Sequence, residues 1–191
     1  AGAVGTGVSC GIDSLYTIAE HTGANCPPAY RLTHLAYFNV GSHGRTVDGA
    51  PALFRQRLER VRPCAAEIGL PLVPLDSNLG DLLAGPFIAT CTVSTLAGVL
   101  ALQRLFRTYY FSSGSSVFDF ALNWRVAGAY DAYTLPLLAG NDLQLSWPAP
   151  RSAARRRRRA WPTTRPPTAT STCASPRRTT ARPATSACAR C

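Results

Sequence analysis

The chain has 191 residues, of which 46% are hydrophobic, so it can form the core of one domain of ordinary size. Its formal net charge of +10 is unevenly distributed: residues 1–150 hold 9 arginines and 10 acidic residues, whereas residues 151–191 hold 11 arginines and no acid. The net charge therefore describes neither the near-neutral body nor the basic tail. It is not by itself a sign that the folded body binds nucleic acid.

Strand-like and helix-like segments alternate along residues 1–150. Strands are predicted at 2–8, 32–41, 70–78 and 108–114. Helices are predicted at 15–23, 51–69 and 87–108, with Pro63 interrupting the second, and a further strand or helix is expected around 133–138. This order predicts an α/β fold with a doubly wound, mostly parallel sheet in three layers, of the Rossmann-like and HUP-like kind.

Polar or glycine-containing turns follow each predicted strand. They lie at 9–14, 39–42, 76–78 and 112–114. Because the carboxyl ends of parallel strands meet at one edge of the sheet, we expect these turns to lie together, where ligands of such folds bind. Turns of this kind also need Gly, Ser, Asn and Asp for purely conformational reasons, so no single turn is evidence of a site.

Three kinds of phosphate-binding loop can be compared with the first turn. A Walker A loop needs a lysine, and the sequence contains none. A dinucleotide-binding fingerprint begins at Gly5 and Gly7, but its third glycine would fall at Cys10, and Asn39 stands where an acidic residue is expected. The Walker A loop is therefore excluded, and the dinucleotide-binding fingerprint fits poorly.

The segment Ser9-Cys10-Gly11-Ile12-Asp13-Ser14 resembles the SGGxDS loop of the PP-loop ATP pyrophosphatases, which include asparagine synthetase, GMP synthetase and tRNA-thiolating enzymes. The resemblance spans residues 3–145 and is strongest at 7–14. It implies ATP and Mg²⁺ as cofactors, with Asp13 as the catalytic residue that holds the metal. It also implies that the ATP pyrophosphate contacts Ser9, Cys10, Gly11, Ile12 (through its backbone only) and Ser14.

Cys10 departs from the family pattern, because the family usually has its first glycine there. A Cβ at this position is compatible with the loop if the φ angle of Cys10 is negative. Two interpretations of the side chain stay open. It is either a small residue tolerated in the turn or a nucleophile, since a helix N-terminus lowers the pKa of a thiol.

Two further groups of residues follow from the resemblance. The end of the second strand would lie along the adenine, with backbone groups reading the base. The candidates there are Phe38, Asn39 and Val40, which are otherwise ordinary core residues. The candidates for the acceptor-substrate pocket are His43, Ser113, Gly114 and Asp119.

The resemblance implies ATP-dependent adenylation of a small substrate with release of pyrophosphate, followed by amidation or thiolation. The expected partners are ATP and an unidentified small-molecule acceptor. Two alternatives stay open: a non-catalytic ATP-binding module, and an RNA-binding protein that uses the arginine-rich tail. The sequence has no apolar run of about 18 residues and no leader-like N-terminus, so we expect a cytoplasmic protein without a membrane partner.

The C-terminal segment differs in composition from everything before it. We divide the chain into a nucleotide-binding domain, 1–148, and a low-complexity tail, 149–191. Residues 151–191 contain no Leu, Ile, Val or Phe and are expected to be disordered. GC-rich coding DNA read out of frame yields this composition, so we hypothesise a change of reading frame near residues 150–159. Nucleic acid is an expected partner only if the arginine tail is genuine.

Overall fold

The structure is a computed structural model that describes residues 2–83, 85–115, 120, 121, 123 and 125–147. Its strands are β1 (Ala3–Gly7), β2 (His34–Asn39), β3 (Leu72–Asp76), β4 (Phe106–Tyr110) and β5 (Gln144–Ser146). Its helices are α1 (Ile12–Thr22), α2 (Ala50–Ile68), α3 (Leu79–Leu82), α4 (Phe87–Ala101) and α5 (Asp131–Leu138). Short 3₁₀ turns lie at Pro28–Tyr30, Thr46–Asp48 and Ala127–Tyr130.

The five strands form one parallel sheet in the order β3-β2-β1-β4-β5. The chain runs outward from β1 through β2 to β3, and then crosses to the other side of β1 to form β4 and β5. The strand order therefore reverses between β1 and β4, where a ligand site is expected in an open α/β sheet. With helices on both faces, this architecture confirms the predicted three-layer, Rossmann-like fold.

Each face of the sheet has its own apolar core. Side chains alternate along β2, so Leu35 points to one face and Phe38 to the other. The first face packs against α1 and α2 through Ile18, Val61 and Ala65. The second face packs against α4 and α5 through Leu96, Val99 and Leu135. These two layers hold the carboxyl ends of β1, β2 and β4 in fixed relative positions.

The predicted segment boundaries differ from the structure mainly around α4 and β4. The helix predicted to reach residue 108 ends at Ala101, and β4 begins at Phe106. Leu102 and Leu105, which lie in the connecting turn, pack against the core, so the apolar pattern continues where the helix does not. The segment around 133–138 belongs to the helix α5, and β5, with only three residues, was not predicted.

Two sets of predicted features lie outside the described residues. They are Asp119 and the basic tail 149–191. In the part of the chain that the structure describes, no helix combines the length and the apolar character needed to cross a bilayer.

Candidate functional site

The loop between β1 and α1 lies at the carboxyl edge of the sheet, next to the reversal of strand order. Val8 still follows the sheet, because its backbone N–H donates to the carbonyl of Ala36 at 2.9 Å. Gly11 caps α1 in an extended conformation, with φ −81° and ψ 162°, and makes no side-chain capping bond. The first N–H groups of an α-helix have no partner within the helix, so this end of α1 favours an anion.

Ser14 organises the loop from inside. Its hydroxyl donates to the carbonyl of Gly11 at 2.9 Å and accepts from the backbone N–H of Ser9 at 3.4 Å. The Ser9 hydroxyl lies 3.2 Å from the Ser14 hydroxyl and accepts from the N–H of Gly11 at 3.3 Å. Ser14 is buried, whereas Ser9 and Gly11 are half-buried. The loop is therefore closed around the buried side chain of Ser14.

Cys10 has a φ angle of +55°, and among the described residues it is the one non-glycine residue with positive φ. The condition under which a Cβ would fit this loop without strain, a negative φ at Cys10, is therefore not met. A side chain in this left-handed region costs roughly 1 kcal/mol, which glycine avoids. The backbone geometry at this position is thus one that glycine adopts without strain.

Asp13 and Ile12 form the start of α1. Ile12 exposes 50% of its surface, and a contact through its backbone alone stays a prediction. Asp13 is half-buried in the first helical turn. Within the described ranges no group of three or more His, Cys, Asp or Glu side chains is placed to hold a metal ion. Of the residues 9–14, Asp13 alone carries a carboxylate, the protein ligand that Mg²⁺ prefers.

Hydroxyl groups connect this loop to β4. Thr6 of β1 donates to the carbonyl of Tyr110 at 2.8 Å and lies 3.3 Å from the hydroxyl of Ser112. Ser112 donates to Thr17 at 3.0 Å, and Thr17 donates to the carbonyl of Asp13 at 3.0 Å. Thr6 and Thr17 were not predicted, because a threonine within a strand or helix carries no sequence signal of such a role. They tie the strand end of β4 to the first turn of α1.

The three adenine candidates lie at the end of β2 and face different surroundings. Phe38 is buried in the core, with its ring stacked 6.3 Å from that of Tyr109. Asn39 is 2% exposed, and its amide donates to the carboxylate of Asp76 at 2.6 Å. The carbonyl of Asn39 accepts from both the N–H and the hydroxyl of Ser77, at 3.1 and 2.6 Å. These contacts engage both residues within the protein, and their role in binding adenine stays a prediction.

Val40, the third candidate, borders a cavity of about 630 Å³. The loop that follows β2, the short helix α3 and the first half of α4 form its walls. The loop and α3 touch closely, because a Cβ at Gly80 would lie 2.6 Å from the carbonyl oxygen of Gly44. Polar groups that line the cavity belong to Ser42, Arg45, Asp81, Thr90 and Ser94.

His43 is buried on the α2 side of the same loop. Its Nε2 lies 3.2 Å from the Tyr37 hydroxyl, and its Nδ1 lies 3.0 Å from the Ser42 hydroxyl. Burial lowers the pKa of His43 to about 4, and the charge of Arg57 acts in the same direction, whereas that of Asp76 raises it. Both ring nitrogens are therefore occupied by protein groups, and a substrate contact by His43 stays a prediction.

Ser113 and Gly114 follow β4, beside the hydroxyl groups described above. Ser113 is 6% exposed and donates to the carboxylate of Asp131, whereas Gly114 is exposed. Asp131 also accepts from Thr92 at 2.6 Å. Burial raises the pKa of Asp131, and the two hydroxyl donors lower it. Asp131 and Thr92 were not predicted as part of this cluster, since they meet only because α4 packs against α5.

The structure thus brings the loop 9–14 and the segment 112–115 together at the reversal of strand order, while Asn39, Val40 and His43 lie at the neighbouring end of β2. The chain matches none of the protein-family models, curated proteins or solved structures with which it was compared.

Proposed function

We propose that the protein binds ATP and activates a small substrate by adenylation, with release of pyrophosphate. The observation that carries this proposal is the segment 9–14: it holds two serine hydroxyls, it includes the N-terminus of α1, which has no side-chain cap, and it lies where the strand order reverses. A helix N-terminus combined with small residues and hydroxyl donors suits the oxygens of a polyphosphate.

Each residue of the loop has a distinct role in this proposal. The Ser9 hydroxyl would donate to a phosphate oxygen in exchange for its bond to Ser14, and the buried Ser14 hydroxyl would do so in exchange for its bond to the Gly11 carbonyl. The backbone N–H of Ile12, and that of Gly11 once it is released from the Ser9 hydroxyl, would add charge-assisted hydrogen bonds. Mg²⁺, when bound, neutralises part of the charge on the pyrophosphate leaving group. Asp13 is the residue that would hold it, because a carboxylate without a cation would repel phosphate.

The cavity beside Val40 supports the nucleoside part of the proposal. Its volume of about 630 Å³ lies within the usual range for ligand pockets and would accommodate a nucleoside. It opens from the end of β2, which neighbours β1 in the sheet, so the base and the phosphates would occupy adjacent strand ends. The acceptor substrate would then lie on the β4 side, near the exposed Gly114.

A non-catalytic ATP-binding module would use the same loop and the same cavity. The two functions differ in their products, since only an adenylating enzyme converts ATP into AMP and pyrophosphate. Product analysis with labelled ATP, Mg²⁺ and mixtures of small carboxylates and amines separates them. Formation of AMP and pyrophosphate in equal amounts supports the enzyme.

The substitution Asp13→Ala tests the mechanism. We expect AMP and pyrophosphate formation to fall by about a hundredfold or more, because the leaving group loses its electrostatic stabilisation. Thermal unfolding should change little, since Asp13 is half-buried on the first turn of α1. Asp142→Ala is a matched control, because this exposed acid lies in the turn before β5. Turnover of Asp13→Ala at the rate of the unsubstituted protein would remove Asp13 from the mechanism.

A further inference from the structure

We infer that Asp131 is a positioning residue, which holds the segment after β4 in place beside the nucleotide-binding loop. The inference rests on the proposed function, because it assigns a role in forming the wall of the same site. Asp131 is the first residue of α5 and is 2% exposed. It is 118 positions away from Asp13 in the sequence, and only the fold relates the two.

The Asp131 carboxylate joins three parts of the protein. It accepts one hydrogen bond from Thr92 of α4, at 2.6 Å, and another from Ser113, which follows β4. The Ser113 oxygen accepts in turn from the backbone N–H of Ser115, at 3.1 Å. The surroundings are tight, since a Cβ at Gly128 would lie 2.9 Å from the Ser115 hydroxyl. The turn 113–115 is therefore fixed from α5.

A buried carboxylate is a costly way to fill space. Neither of its two described hydrogen-bond partners carries a charge, so its desolvation is offset by hydroxyl dipoles alone. An amide of similar size would pack there without the cost of desolvating a charge. The particular advantage of a carboxylate is that it only accepts, which forces the hydroxyl protons of both Thr92 and Ser113 to point towards it.

The fixed turn bears directly on the nucleotide loop. Ser112, which precedes it, donates to Thr17, and Thr17 donates to the carbonyl of Asp13, each at 3.0 Å. Asp131 therefore sets the position of Ser113 and of the adjacent Ser112. Through its bond to Thr17, Ser112 in turn holds the first turn of α1, to which Asp13 belongs. Loss of the Asp131 carboxylate should loosen the β4 wall at the reversal of strand order and weaken binding of the phosphates.

The test measures the affinity of the full chain for ATP and for inorganic pyrophosphate by titration calorimetry. We expect Asp131→Asn and Ser113→Ala each to weaken binding of both ligands by about tenfold, which corresponds to one lost hydrogen bond in the wall. The double variant should bind about as weakly as either single variant, because both remove the same contact. Asp131→Ala should weaken binding more than Asp131→Asn, whose amide oxygen still accepts from one hydroxyl.

Thr134→Ala is the matched control. It removes a hydroxyl of the same helix that donates to the carbonyl of Tyr130 at 3.1 Å and does not touch the turn 113–115. Its affinities should equal those of the unsubstituted protein. The melting temperature of every variant is recorded, and if Asp131→Asn does not fold, Ser113→Ala removes the same contact from the side of the turn.

Folded variants that bind both ligands as the unsubstituted protein does would overturn the inference, since a purely structural role lowers the melting temperature alone. The proposed function is judged separately, by product analysis. A protein that binds ATP but forms no AMP contradicts the proposed function, while the affinities still decide the role of Asp131. A protein that binds neither ATP nor pyrophosphate overturns both.

Discussion

Cys10 adopts the left-handed backbone conformation that glycine adopts without strain, with φ of +55°. We predict that Cys10→Gly changes the free energy of unfolding by between zero and about +1 kcal/mol, because relief of strain is partly offset by the greater freedom of glycine in the unfolded chain. Cys10→Val should destabilise the fold by more than 1 kcal/mol, since β-branched residues tolerate positive φ poorly. Urea unfolding measures both. If Cys10→Gly lowers the free energy of unfolding, the contacts of the thiol stabilise the fold by more than the strained backbone of Cys10 destabilises it.

His43 should make stability depend on pH. Its pKa is about 4 in the folded protein, against about 6.5 in an unfolded chain. Between these values the unfolded chain binds the extra proton, so the free energy of unfolding is highest above pH 6.5 and falls as the pH drops towards 4. The full effect is about 3 kcal/mol, at 1.36 kcal/mol per pH unit.

The measurement for His43 is urea unfolding at several pH values between 4 and 7. His43→Gln should abolish this part of the pH dependence, while His34→Gln, at the start of the strand β2 that precedes the His43 loop, should retain it. Asp131 acts in the opposite direction, because its raised pKa adds stability that is lost as the pH rises, but it is common to all three proteins and cancels in the comparison. Equal slopes for His43→Gln and the unsubstituted protein would contradict the assignment.

Among the helices, α2 continues through Pro63, although a proline within a helix removes a hydrogen bond and clashes with the preceding turn. The helix persists because Val61, Cys64 and Ala65 around it are buried. We predict that Pro63→Ala raises the free energy of unfolding by about 1–3 kcal/mol, measured by thermal or urea unfolding. Pro51→Ala is the control, since proline is favourable in the first turn and its loss should not stabilise. A lower melting temperature for Pro63→Ala would contradict the prediction.

Sequence patterns predict an element well when its hydrophobic pattern and the turn residues at its ends indicate the same boundaries. A short apolar run and an amphipathic helix ending at Gly23 predict β1 and the end of α1 to within one residue, although α1 begins at Ile12, three residues earlier than predicted. The end of α4 was predicted too late, because Leu102 and Leu105 continue the apolar pattern through the turn. The strand β5 was not predicted, because three residues are too few to show the hydrophobic alternation of a strand.

In the candidate site, the contiguous segment could be predicted from the sequence, but the long-range hydrogen bonds could not. The loop 9–14 is a contiguous motif, so the sequence predicts both its residues and its place at a strand end. The bond between Ser113 and Asp131 joins residues 18 positions apart, and that between Thr6 and Ser112 spans 106 positions. Such contacts depend on helix packing and strand order, which neither periodicity nor spacing specifies.

The net positive charge of the protein resides in its last 41 residues, which lie outside the described part. We predict that sequencing the coding DNA across codons 145–191 finds a base gained or lost near codons 150–159. A confirmed reading frame would contradict this hypothesis and make the five arginines at 155–159 genuine. In that case, RNA affinity should fall steeply with salt and be lost when those arginines are replaced by serine.

The position of β3 has a consequence for how copies of the protein meet. This strand forms one edge of the sheet, and Pro74, which is exposed, lies opposite Tyr37 in its middle. An edge strand normally offers a row of N–H and C=O groups to any other extended chain, but proline supplies no N–H and interrupts the row. The other edge, β5, is three residues long. Both borders are thus poor templates for a strand from a neighbouring molecule, which protects a fully parallel sheet from edge-to-edge aggregation.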